Sequence, residues 1–114
     1  MNSINGVILL PDDWSTSLYS LSNTNNSSAN YSSNTLTVSQ WGVLEQAGAV
    51  FLPAAGYRRG NSVYSVGSYG DYWSASNCNS SGAYYVLFFD SFLTPQHDSS
   101  FSLGFSVRLA HDIQ

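Results

Sequence analysis

Ala83-Tyr-Tyr-Val-Leu-Phe-Phe89 is the strongest strand signal in the chain, because aromatic and β-branched residues favour the extended backbone of a sheet. Shortly before it, Asp71-Tyr-Trp-Ser-Ala-Ser76 alternates polar and aromatic residues, which indicates a strand with two different faces. After it, Gly104-Phe-Ser-Val-Arg-Leu109 places its apolar residues on one face and Arg108 on the other. Strands that follow one another this closely predict antiparallel sheet in the second half of the chain.

Shorter strands are predicted further towards the N-terminus. Gly6-Val-Ile-Leu-Leu-Pro11 is an apolar run ended by a proline, a pattern typical of a buried strand. Ala49-Val-Phe-Leu52 ends in the same way before Pro53, and Val63-Tyr-Ser-Val66 precedes the turn Gly67-Ser-Tyr-Gly70. Each run has the length expected of a short strand.

One short helix is predicted near residues 40–47. Ser39 is the expected N-cap, and Gly48 suits the position after the last turn. Three apolar residues lie between them at helical spacing: Trp41, Leu44 and Ala47. The helix therefore spans about two turns, and the combination with short strands predicts an α+β domain.

Three segments are predicted to be loops. Residues 15–38 are rich in Ser, Asn and Thr, whose side chains compete for backbone hydrogen bonds, so we expect a polar surface loop there. Two long connections are expected between the later strands, from Asn77 to Gly82 and from Asp90 to Leu103. The second contains Pro95 and has no regular pattern. Long connections of this kind are often functional.

The composition fits one small globular domain over residues 1–114, with a net charge of −4, 43% hydrophobic residues and 15% aromatic residues. Three Arg and no Lys give no basic surface for phosphates, so nucleic acid is not an expected partner. The only apolar run is too short for a membrane span. The 22 Ser and 10 Asn residues, mixed with Tyr and Phe, resemble the composition of an antibody paratope.

Four segments occur in an order that resembles the Fibrobacter succinogenes major paralogous domain family of Bacteroides-like bacteria. They are Leu52-Pro-Ala-Ala-Gly-Tyr-Arg58, Val66-Gly-Ser-Tyr-Gly-Asp-Tyr-Trp-Ser-Ala-Ser76, Ala83-Tyr-Tyr85 and Gly104-Phe-Ser-Val-Arg-Leu109. The opening Asn5-Gly-Val-Ile-Leu-Leu-Pro-Asp-Asp-Trp14 and the segment from Trp41 to Phe51 are similar to the same family. The resemblance therefore extends over about the whole chain.

The resemblance implies a C-type lectin-like fold. Some members of the family are variable proteins of diversity-generating retroelements, which display a mutated C-terminal region to a ligand. By analogy, residues 57–109 would form a variable region that binds a protein or glycan ligand at the cell surface, outside the cell or on a phage particle. The Asn5–Leu10 segment lies mid-domain in the relatives, so we expect this chain to lack the N-terminal half of the family domain. No catalysis, cofactor or metal is expected.

The candidate ligand-binding residues are the positions of the C-terminal half that lie between the matching framework residues. Tyr and Phe offer rigid contact area at low entropic cost, whereas Asn, Asp and His add directional polar contacts. The residue types are also those that adenine-directed mutagenesis of an AAC or AAT codon can reach, with Arg59 reached as a CGC or CGT codon. The candidates are Arg59, Asn61, Tyr64, Tyr69, Asp71, Asn77, Cys78, Asn79, Asp90, Phe92, Leu93, His97, Asp98, Phe101 and Leu103.

Other interpretations of the same residues are open at this point. The aromatic candidates can equally fill the core, whereas Phe92 and Phe101 lie in polar surroundings that favour binding. Trp73, Phe105 and Arg108 match the family motifs and are expected to be framework. The whole domain can also be a structural module of a cell surface or phage particle, without a specific ligand.

An enzyme interpretation is less favoured. Cys78, His97 and Asp98 could form a hydrolase triad of nucleophile, base and orienting acid, but their spacing matches no known signature. A metal site would draw on acidic and histidine side chains at no recognised spacing: Asp71, Asp90, His97, Asp98, His111 and Asp112. The sequence tripeptide of calcium-dependent animal lectins is missing, since Pro95-Gln-His-Asp98 has a different order.

Overall fold

The computed structural model describes residues 4–15, 17, 19–22, 31, 34–90 and 92–110. Within these ranges the chain forms one helix and eight strands. In order they are β1 (Gly6–Leu9), α1 (Val38–Gln46), β2 (Val50–Pro53), β3 (Tyr57–Arg59), β4 (Ser62–Tyr64), β5 (Gly70–Asn79), β6 (Gly82–Phe89), β7 (Phe92–Ser100) and β8 (Leu103–Gly104). The strands pair in three small antiparallel sheets, ordered β1-β2, β4-β3-β8 and β5-β6-β7. The α+β class is therefore confirmed.

The helix begins two residues earlier than the Ser39 cap predicts. Thr37 is the N-cap, because its Oγ1 accepts a hydrogen bond from the Gln40 backbone N–H at 3.2 Å. In return, the Gln40 side-chain oxygen accepts from the Thr37 N–H at 2.8 Å, completing a capping box. The expected end is correct, since Gly48 has a φ of +100° that allows the chain to leave the helix.

The sheet β5-β6-β7 holds the larger part of the fold together. β5 pairs with β6 from Gly70 opposite Phe88 to Asn79 opposite Gly82. On its other edge β5 forms parallel bridges, Gly56 to Gly70 and Tyr72 to Ser106, which join this sheet to the segments that flank β3 and β8. β5 is therefore hydrogen-bonded on both edges near its start.

One face of β5 and β6 covers the main core. Tyr72 and Phe88 project from it, with their rings 6.2 Å apart, and pack with Leu52 and Ala54. The Tyr72 hydroxyl donates to the Pro53 carbonyl oxygen at 2.8 Å, so this buried polar group is satisfied. A Cβ at Gly70 would collide with the Phe88 ring, which explains why a glycine begins the strand.

A second, smaller core lies beneath the helix. Leu44, which is fully buried, packs with Leu36 and Ala49. Partly buried side chains surround them: Ile8, Trp14, Tyr19, Leu21 and Trp41. Half of the predicted polar loop over 15–38 lies outside the described residues, but Tyr19 and Leu21 show that part of it contributes to this core.

Both predicted connections in the C-terminal half contain strand that the sequence does not predict. β5 and β6 continue to a short turn at Ser80 and Ser81, and residues 92–100 form the strand β7 at the edge of the sheet. Pro95 is tolerated because the pairing shifts there: Tyr85 pairs with His97 and Leu87 with Thr94, so Pro95 and Gln96 together oppose one residue.

The last predicted strand is also shorter than expected. Only Leu103–Gly104 forms β8, against β3, and Ser106 then forms a bridge with β5. The chain crosses from one sheet to the other within two residues, which ends the alternation that the sequence suggests. Val107 and Leu109 are accordingly 65% and 88% exposed and form no apolar face.

Candidate functional site

An aromatic cleft lies on the face of β5 and β6 that points away from the main core. Because side chains alternate along a strand, Asp71, Tyr85 and Leu87 project opposite to Tyr72 and Phe88. Residues from β3, β8 and the neighbouring segments form the remaining walls. The cleft is open to solvent, has a volume of about 250 Å³ and is lined by Tyr57, Arg59, Tyr69, Asp71, Tyr85, Leu87, Leu103 and Phe105.

The rings of the cleft support one another. Phe105 lies at their centre, 4.4 Å from the Trp73 ring and 4.5 Å from the Tyr85 ring. Tyr57 meets the Phe105 ring edge-on at 6.4 Å. Contacts of this kind fix the ring orientations, so the walls of the cleft are largely formed before a ligand arrives.

An aromatic ridge of Tyr69, Phe89 and Phe92 extends this face beyond the cleft. The Tyr69 and Phe89 rings stack at 5.0 Å, and the Phe89 and Phe92 rings stack at 5.3 Å. Tyr69 and Phe92 are both exposed, at 36% and 42%. The cleft and the ridge together form a continuous aromatic face.

Asp71 is the buried charged group of the cleft. Its side chain is only 3% exposed, and its Oδ2 atom has no hydrogen-bond partner. Burial raises the pKa of this carboxyl to about 6, an effect that the nearby positive charge of His97 opposes. A buried carboxyl oxygen without a partner is unusual, because its lost hydration is not replaced.

Two basic side chains surround the carboxyl without pairing with its Oδ2 atom. Arg59 lines the cleft, but its guanidinium lies over the Tyr64 ring, 5.5 Å from the ring centre. The His97 ring lies 5.2 Å from the Tyr85 ring, and its Nδ1 atom is 3.2 Å from the backbone oxygen of Asp98. Both bases are exposed. The cleft therefore combines a buried acid with basic groups nearer to solvent.

Seven of the predicted ligand residues lie on or beside the aromatic face. Arg59, Tyr69, Asp71 and Leu103 line the cleft itself. Tyr64 stacks on the Tyr57 ring at 5.5 Å, and Phe92 and His97 contact Phe89 and Tyr85. These seven come from β3, β4, β5, β7, β8 and the residue before β5, so tertiary structure brings together positions that are far apart in sequence.

The remaining candidates lie elsewhere. Asn61 and Asp90 lie in the turns after β3 and β6. Asn77, Cys78, Asn79 and Phe101 are grouped at the end of β5 remote from Asp71, where Phe101 donates its N–H to the Ser81 oxygen. Asp98 pairs with Tyr84 on the opposite face to His97. Leu93 packs against the main core, which removes it from the exposed face.

Three residues of the cleft are absent from the predicted set: Tyr57, Tyr85 and Leu87. Phe105, a further lining residue, was expected to be framework, and its ring contacts agree with that role. The alternation of side chains along β5 and β6 identifies these residues once the pairing of the two strands is known. Once Asp71 is paired with Leu87, Tyr85 must lie on the same face.

The alternative catalytic residues are not assembled. Cys78 lies next to Gly82, whereas His97 pairs with Tyr85, three residues further along β6. Three residues of a strand span about 10 Å. β5 and β7 also flank β6 on opposite sides, which separates the thiol and the imidazole further. Within the described ranges no group of three His, Cys, Asp or Glu residues could hold a metal. His111 and Asp112 lie outside those ranges.

The chain matches no protein-family model, no curated protein and no solved structure. The family resemblance therefore rests on the four ordered motifs of the sequence. In the part of the chain that the structure describes, no helix is long and apolar enough to cross a membrane.

Proposed function

We propose that this chain is a non-catalytic ligand-binding domain of the C-type lectin-like class, which presents its aromatic face to a protein or glycan ligand. The observation that carries the proposal is the grouping of seven predicted ligand residues on this face: Arg59, Tyr64, Tyr69, Asp71, Phe92, His97 and Leu103. The family resemblance adds a location at the cell surface, outside the cell or on a phage particle.

The chemistry of the face suits binding. Stacked rings such as Tyr69 and Phe92 lose little conformational entropy when a ligand covers them, because the ridge already holds them in place. Arg59 and His97 supply polar contacts at the edge. Clusters of aromatic residues with a few polar groups are typical of the residues that dominate binding energy.

The architecture also suits diversification. Side chains on the aromatic face alternate with those of the main core, so a substitution at Asp71 or His97 leaves the packing of Tyr72 and Phe88 in place. A retroelement that mutates these positions would change the ligand without unfolding the domain. This separation supports the proposed role as a variable protein.

Binding is tested by panning the purified domain against a displayed random-peptide library and by probing a glycan microarray with it. The double variant Y69A/F92A shortens the aromatic ridge, and V66A/V107A is the matched control at two exposed apolar residues outside the face. We expect selected ligands that the ridge variant loses and the control retains. Ligands retained by both variants, or no ligand at all, would favour the structural-module alternative.

Diversification is tested by sequencing the gene from one growing population of its host. Substitutions at adenines should concentrate at positions such as Tyr64, Tyr69 and His97, while Tyr72 and Phe88 stay fixed. A uniform sequence would contradict active diversification in that population and leave a fixed binding role.

A further inference from the structure

The Asp71 carboxyl indicates which chemical group a ligand of the cleft would supply. It is buried at the cleft wall, and its Oδ2 atom has no hydrogen-bond partner. This oxygen has lost water without gaining a donor from the described residues, which costs free energy unless a ligand supplies one. Rotation about the last side-chain bond of Asp is soft, so an oxygen can turn towards the cleft without movement of β5.

The walls favour a positive charge over a neutral donor. Tyr57, Tyr69, Tyr85 and Phe105 line the same cleft as Asp71. The faces of aromatic rings carry negative electrostatic potential and attract ammonium and guanidinium groups. A cation in the cleft would therefore gain from the carboxylate and from the rings, whereas a sugar hydroxyl would gain mainly one hydrogen bond.

The size of the cleft favours a single side chain. Its volume of about 250 Å³ is below the roughly 300–1,000 Å³ of sites that hold drug-sized molecules. Leu87 and Leu103 provide apolar contact for an alkyl chain beside the carboxyl. A flexible alkyl chain ending in a cation is the side chain of Lys or Arg.

We propose that the aromatic cleft binds one Lys or Arg side chain of a protein ligand, with the Asp71 carboxylate as its counter-ion. The proposal rests on the proposed ligand-binding function and names the ligand class. Arg59, which also lines the cleft, then disfavours a ligand with two adjacent positive charges. Arg59 therefore favours ligands whose basic residue has no basic neighbour.

The test is a titration of the full chain with n-butylammonium and n-propylguanidinium, which represent the two side chains, followed by NMR shifts of the Asp71 and Tyr85 amides. Butanol is the neutral control of similar shape, and methyl β-glucoside represents a glycan. We expect the cations to bind at least tenfold more tightly than butanol. Equal binding of butanol, or preferential binding of the glucoside, would overturn the proposal.

Two variants assign the binding to the carboxylate. D71N removes the charge at nearly constant shape and should weaken cation binding at least tenfold, whereas D12N makes the same change of net charge at an exposed turn residue and should have no effect. The NMR spectrum of D71N reports whether it remains folded. Unchanged cation binding by a folded D71N would contradict the proposal.

The pH dependence provides a second measurement. The titratable and charged groups that face the cleft are Tyr57, Arg59, Tyr69, Tyr85 and His97. Lowering the pH from 7.5 to 5 should release the cation, because Asp71 becomes protonated. The variant H97Q, which removes the imidazole, should retain this dependence; its loss in H97Q would contradict the assignment to Asp71.

The peptide library separates this inference from the proposed function. Selected peptides that need the ridge but contain no basic residue and still bind D71N would support the ligand-binding face and overturn the cation site. Cation binding that depends on Asp71, together with a library that yields no ridge-dependent peptide, would support the cation site and contradict the proposed ligand-binding face.

Discussion

The two faces of β5 and β6 are both aromatic, yet they differ in how their polar groups are satisfied. On the core face, the Tyr72 hydroxyl donates to the Pro53 oxygen at 2.8 Å. On the cleft face, the Asp71 Oδ2 atom is buried and has no hydrogen-bond partner among the described residues. Hydrophobicity alone therefore does not distinguish the buried core face from the exposed aromatic face. The polar group without a hydrogen-bond partner, the Asp71 carboxyl, lies on the aromatic face.

The largest expected effect is on the core face. F88A removes a ring that packs against Tyr72 and Leu52, and should lower the free energy of unfolding by about 3–5 kcal/mol. Urea denaturation followed by circular dichroism measures this change. A loss below about 1 kcal/mol would show that the core face contributes no more to the free energy of unfolding than the exposed face does.

The next effect concerns the charge of Asp71. The pKa of its carboxyl is about 6 in the folded protein, above the ordinary value of 3.8, so between these values the folded state binds more protons than the unfolded state. Stability should therefore fall as the pH rises from 4 to 7, by at most about 3 kcal/mol. Urea denaturation at several pH values measures this slope.

The variant D71N should flatten that slope and be more stable than the natural protein at pH 7.5, because an amide carries no charge to bury. D12N is the matched control and should keep the slope, since Asp12 is exposed. A natural protein that becomes more stable as the pH rises over this interval would show that Asp71 gains a partner within the fold.

A smaller effect is expected at the satisfied hydroxyl. Y72F removes the hydrogen bond to the Pro53 oxygen and should cost about 1 kcal/mol of stability. The exposed Tyr64 provides the control, because Y64F removes a hydroxyl with little burial. Equal effects of Y72F and Y64F would remove the distinction between a satisfied core group and a surface group.

The smallest effect on stability is expected at the ridge. F92A removes a side chain that is 42% exposed and should change the free energy of unfolding by less than about 1 kcal/mol. Its melting temperature should therefore stay close to that of the natural protein, while ligand binding is lost. A loss comparable to that of F88A would place Phe92 in the core.

The sequence predicts strands well where hydrophobic residues dominate and poorly where pairing with another strand determines the conformation. The strand expected over Ala83–Phe89 appears as Gly82–Phe89, because its aromatic and β-branched residues favour extended structure in any context. Phe92–Ser100 lies within the connection that the sequence predicts from Asp90 to Leu103, which contains Pro95 and has no regular pattern. It becomes a strand because β6 offers a free edge, which is a non-local property.

The candidate site follows the same rule. Asp71 and Arg59 could be selected from the sequence as candidate ligand residues, and both line the cleft. Tyr57, Tyr85 and Leu87 could not, because their position in the cleft depends on the register of β5 with β6 and on the approach of β3. Register is set by pairing between segments that are distant in sequence.

The bulge at Pro95 and Gln96 has a consequence for aggregation. β7 is the outer strand of a sheet that carries exposed rings on one face, and an unbroken outer edge of this kind would recruit strands of other molecules into fibrils. Proline has no N–H to offer such a strand, and the extra residue at the bulge interrupts the row of backbone groups. The domain therefore exposes aromatic rings on one face of this sheet, while the edge beside them resists pairing with strands of other molecules.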